Sequence, residues 1–87
     1  MNIETCIAAF RSRAQTLKLL QIAKANGIPC RIINTPKGVA VGCGLSVSFD
    51  PEYYPYVRDI VRRGTFDLLA GFFIVTRMGN RTAVKRI

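Results

Sequence analysis

Stops at Ser12, Gly27, Pro36, Asp50-Pro51 and Gly64 cut the chain into segments whose apolar residues recur with period two or with helical period in turn. Residues 3–10 read as a strand, with Ile3, Thr5, Ile7 and Ala9 on one face and Glu4, Cys6, Ala8 and Phe10 on the other. Both faces are apolar enough for a central position. Ser12, followed three residues later by Gln15, has the capping-box pattern and opens a helix from Arg13 to about Asn26. Its expected apolar stripe is Ala14, Leu17, Leu20 or Gln21, then Ala23 or Lys24, widened by Leu19 and Ile22, and Gly27 closes it.

Residues 30–35 form a second strand, stopped by Pro36, which lacks the amide a ladder needs. Residues 44–49 form a third, alternating Leu45, Val47 and Phe49 with Ser46 and Ser48. Asp50-Pro51-Glu52 then supplies an N-cap acceptor, a proline at the first helical position and an acid in the first turn. The helix it starts should reach Arg63 and bury Tyr54, Val57, Ile60 and Val61, with a first turn made irregular by Pro55. Residues 66–76 are a long apolar strand in which Gly71 marks a bulge.

The order β-α-β-β-α-β predicts an α+β fold of the ferredoxin-like kind: a four-stranded antiparallel sheet in spatial order 4-1-3-2 with two helices on one face. Residues 1–76 make a single domain, and 77–87 a basic C-terminal extension, disordered in preference to an extra strand. At 87 residues the domain holds one core and no deep substrate cavity, so function belongs on its rim or faces.

Thirteen Lys plus Arg against five Asp plus Glu give a net charge of +8, which favours an acidic partner, a nucleic acid or a small anion. The longest apolar run, 68–75, is too short to span a bilayer, and residues 1–6 lack a secretion-signal pattern, so no membrane partner is expected. Cysteines at 6, 30 and 43, with no His, make neither a disulfide framework nor a zinc site. A cytoplasmic setting follows as the expectation, with no cofactor and no metal.

Cys43 is the candidate functional residue. It stands between Gly42 and Gly44 where a turn hands over to the third strand, and neither neighbour has a side chain to block an approaching partner. The fold expected above brings that turn to the same end of the sheet as Arg11, Ser12 and Arg13 at the start of the first helix and Arg62 and Arg63 at the end of the second. A thiol of pKa ~8.5 reacts as its anion, which cations and helix N-terminal amides favour. Arg11, Arg13, Lys37 and the amides after Ser12 are the candidates, with the Gly42 and Gly44 amides as a small anion nest. Cys6 and Cys30 read as small buried hydrophobes. The bland alternative is that Gly-Cys-Gly meets only a need for small residues.

Phe10-Arg11-Ser12, Asn26-Gly27-Ile28, Ile33-Asn34-Thr35-Pro36, Cys43-Gly44-Leu45-Ser46-Val47 and Phe49-Asp50-Pro51-Glu52 together resemble the small putative selenium/sulfur carrier protein-like family of bacterial domains. The resemblance covers roughly residues 3–64. It implies a loop holding Thr35 and Pro36 and a carrier role for Cys43 beside Gly44, with a transient persulfide or selenopersulfide on the thiol. The chain departs from the family pattern in its apolar loop Val39-Ala40-Val41 and its basic tail. The implied partners are a sulfur or selenium donor enzyme and an acceptor protein. With no catalytic acid–base pair, a stoichiometric carrier is expected in preference to an enzyme. Two rivals remain: a basic nucleic-acid-binding module, and a small regulatory domain forming a homodimer through the fourth strand.

Overall fold

The structure is a computed structural model that describes residues 2–39 and 44–87. In chain order its elements are β1 (Asn2–Phe10), α1 (Arg13–Ala25), β2 (Cys30–Asn34), β3 (Leu45–Phe49), a 3-10 turn (Pro51–Tyr53), α2 (Tyr54–Arg63), β4 (Leu69–Met78) and β5 (Arg81–Arg86). The strands form one antiparallel sheet in the order β2-β3-β1-β4-β5. The expected four-stranded ferredoxin-like sheet of order 4-1-3-2 is thus corrected to five strands, because the stretch expected as a basic extension folds back and pairs along β4.

The hairpin that makes this possible is short. Met78 pairs with Arg81 across a two-residue turn, Gly79-Asn80, and Gly79 takes a φ of +61°. A glycine with positive φ at the first turn position suits the twist of flanking antiparallel strands. β4 is consequently paired on both sides and offers no edge for a second copy, so dimerisation through it is also corrected; the sheet edges are β2 and β5.

Strand alternation gives the sheet two distinct faces. On one, Cys6, Ala8 and Phe10 of β1 lie with Val47 and Phe49 of β3 and Phe72 of β4, all buried. Both helices cover this face, through Leu19 and Ala23 of α1 and Val57 and Val61 of α2. On the other face Ile7, Ala9 and Val75 form a smaller cluster, sealed by Val39 from the loop after β2. The β1–β4 register skips a residue between the Ala9–Gly71 and Phe10–Leu69 pairs, so the bulge expected near Gly71 falls at Ala70.

The stripe of α1 is rotated from the expected one: Thr16, Leu19 and Ala23 are buried, whereas Ala14 and Leu17 face solvent. A threonine can occupy the buried side because its Oγ1 donates to the Ser12 carbonyl at 2.8 Å. At the second helix the Asp50 carboxylate makes no cap hydrogen bond; the backbone carbonyl of Asp50 accepts from Tyr53 N instead. Pro55 delays the regular helix to Tyr54, and Val57 and Val61 are its buried residues, with Tyr54 and Ile60 half-buried. Phe66, expected in β4, lies before it as a core residue beside Phe10, ring centroids 5.6 Å apart.

Candidate functional site

One end of the sheet collects most of the residues singled out from the sequence. Asn34 pairs with Leu45, Ala9 with Ser46 and Phe10 with Leu69, so β1 and β2 finish where β3 and β4 begin. Arg11, Ser12 and Arg13 lie at this end, as do Thr35, Gly44 and, through the α2–β4 connection, Arg62 and Arg63. That connection is tied to the start of α1. Arg11 N donates to Leu68 O at 2.8 Å, Leu68 N to Gln15 Oε1 at 3.0 Å, and Lys18 Nζ to Thr65 Oγ1 at 2.7 Å.

Ser12 caps α1, its hydroxyl accepting from Gln15 N at 3.1 Å. The return half of the capping box is absent, because the Gln15 Oε1 that would accept from Ser12 N accepts from Leu68 N instead, while Gln15 Nε2 donates to Asp67 Oδ1 at 2.6 Å. Arg11, Arg13 and Arg62 are exposed, and exposed Arg63 pairs with Asp59 at 3.2 Å. The neck of the 35–44 loop is closed by Thr35 N donating to Gly44 O at 2.8 Å, and Gly44 is exposed with a φ of +80°. Cys43 and Gly42, the expected thiol and one half of its nest, lie outside the described residues.

Lys37 goes elsewhere. Val39 N donates to Pro36 O at 3.0 Å, turning the chain over the helix-free face, where Lys37 stands with Arg31 and Arg77 around a groove. The sequence reading missed Arg31 and Arg77, although strand alternation places Arg31 beside Ile33 and Arg77 beside Val75 on that face.

Burial disfavours the anion of each of the remaining thiols. Cys6 is fully buried, and burial pushes its thiol up to about 12 against the lowering effect of a hydrogen bond from the Ile7 backbone. Cys30 is partly buried, its Sγ lying 3.9 Å from Leu20 O, and burial raises its pKa despite nearby Lys24. Among the described residues no group of His, Cys, Asp and Glu could hold a metal ion, and no helix is long and apolar enough to cross a membrane.

A family model described as "Putative Se/S carrier protein-like" matches residues 5–69, whereas no curated protein and no solved structure matches the chain. The matched span takes in β1 from Thr5 onward, both helices, β2, β3 and the loop that carries Cys43 in sequence, and it stops at the first residue of β4. On that coverage the chain belongs to the putative Se/S carrier protein-like family.

Proposed function

We propose that the protein is a stoichiometric sulfur or selenium carrier that works through Cys43. The observation that carries this reading is the state of the other two thiols. In a chain of a carrier-like family with three cysteines, burial disfavours the anions of Cys6 and Cys30, which leaves Cys43 as the candidate nucleophile. Its thiolate attacks the outer sulfur of a donor persulfide, R–S–SH, forming Cys43–S–SH and releasing R–S⁻. A thiolate of the acceptor then attacks the same outer sulfur and regenerates the Cys43 thiolate. Outer selenium in R–S–SeH transfers in the same way, and neither step needs an external oxidant.

Arg11, Arg13 and the amides at the start of α1 would favour both the thiolate and the anionic persulfide, and the basic surface would steer the carrier toward acidic partners. The test is intact-mass spectrometry after incubation with a cysteine desulfurase and cysteine, or with a selenium donor. One added sulfur or selenium mapped to Cys43 is expected, with none on Cys43→Ser. Equal loading of the variant sinks the reading. The nucleic-acid rival predicts instead salt-dependent RNA binding that survives Cys43→Ser.

A further inference from the structure

The helix-free face of the sheet holds a groove of about 890 Å³ that the carrier chemistry does not use. It arises because the loop after β2 crosses the sheet from one edge to the other. Asn34 ends the edge strand β2, and at Gly38 a Cβ would come within 3.1 Å of Val84 Cγ2 on the opposite edge strand, β5. The loop therefore covers the Ala9 end of the face, where Val39 packs on Ile7, Ala9 and Val75, and leaves the other half open as a trough.

The trough has an apolar floor and a basic rim. Ile7 and Val75 are buried in its floor, Ile33 and Val84 half-buried along its sides, and Ile3 is 58% exposed at its open end. Arg31 from β2, Lys37 from the loop and Arg77 from β4 are exposed around it, and no carboxylate lines it. Glu4, the one acid on β1, pairs with Thr76 on the helix-covered face. Among the described residues none of the three cations makes a hydrogen bond or an ion pair.

We propose that this groove binds a small organic anion with an apolar body, of the class of medium-chain or aryl carboxylates. Small-molecule sites are typically concave, roughly 300–1,000 Å³ in volume and apolar with a few polar groups, and the groove has that volume and that kind of lining. The uncompensated cations select an anionic head, and the valine and isoleucine floor selects an alkyl or aryl body. The groove suits a single-stranded nucleic acid poorly. Its floor has no aromatic platform, and the nearest ring on this face, Phe73, is packed into the loop-covered cluster with the Arg86 guanidinium 6.0 Å from its centroid. The site needs no thiol and stands whether or not Cys43 carries sulfur.

The test is isothermal titration of the full chain with decanoate, with 1-decanol as the body without the charge and acetate as the charge without the body. Amide shifts in a labelled sample locate the contact. Saturable one-to-one binding of decanoate is expected, with shifts at Thr5, Ile7, Val75 and Val84. Affinity should fall roughly tenfold or more for 1-decanol and for each of Arg31→Glu and Arg77→Glu, with acetate weaker still. Circular dichroism checks that the two surface variants stay folded. The proposal is overturned by absent or non-saturable binding, by affinity unchanged in both variants, or by shifts on the helix-covered side. Binding of oligouridylate at this face with none of decanoate overturns it too, in favour of a nucleic-acid surface.

Discussion

Ser46 is polar and fully buried, and what satisfies it also anchors the candidate site: its Oγ lies 2.7 Å from Thr35 Oγ1, across the neck of the loop that leads to Cys43. Thr35→Val keeps the backbone bond to Gly44 but strands the Ser46 hydroxyl, so a loss of about 1–3 kcal/mol in urea unfolding is expected. Thr35→Ser, which keeps the hydroxyl, should lose much less. Gly44→Ala should lose about 1 kcal/mol through its backbone alone, since an added Cβ there meets no atom within 4 Å. Cys6 makes a different prediction because its thiol is raised from an ordinary 9.0 to about 12. Well below pH 9 the proton is bound in folded and unfolded chains alike, and its contribution to stability is fully present. As pH climbs through 9 toward 12 the unfolded chain ionises first, and that contribution is lost at up to about 1.4 kcal/mol per pH unit. Unfolding free energy should fall between about pH 8 and about pH 10.5, and fall less in Cys6→Ala; parallel slopes in the two proteins would refute this.

β5 shows which elements the sequence reveals and which it hides. The faces of β1, the Ser12 cap, the Gly27 stop and the delayed start of α2 were legible because each depends on local chemistry: alternation, a hydroxyl acceptor, a left-handed turn, a proline without an amide. β5 was not, since Arg-Thr-Ala-Val-Lys-Arg places only Val84 in an apolar cluster and reads by composition as a solvated tail. Gly79-Asn80 between two segments able to pair was the signal available for it. The rotated stripe of α1 was hidden for a related reason: Thr16 counts as polar until its hydroxyl is seen to bond the Ser12 carbonyl. If β5 is what protects β4, a chain ending at Met78 should expose the β4 ladder and the Phe73–Val75 flank and associate with itself. Sedimentation should show the truncated chain shifting to larger species with concentration while the full chain does not. A monodisperse truncated monomer of unchanged melting temperature would remove that role.

At the scale of the molecule the charge balance and the fold pull against each other. Thirteen cations share a small surface with five carboxylates, and among the described residues the ion pair formed is Arg63–Asp59 on α2. The sequence made the excess plain but could not show where it gathers, because Arg31, Lys37 and Arg77 come from separate elements and line one groove only in the folded sheet. Their mutual repulsion is screened over a Debye length that shrinks from ~30 Å at 0.01 M salt to well under 10 Å at ~0.3 M. Raising sodium chloride across that range should therefore lift the melting temperature by about 2–5 °C. Replacing a groove cation should do the same at low salt: Arg77→Glu removes one positive charge and adds a negative one on the groove that Arg31 and Lys37 also line, so its melting temperature should exceed the wild type's in dilute buffer. The advantage should vanish at ~0.3 M, where screening has already removed the repulsion. A variant that melts lower than wild type at both salt concentrations would mean that Arg77 stabilises the sheet through contacts of its aliphatic stem, and that repulsion in the groove is too weak to matter.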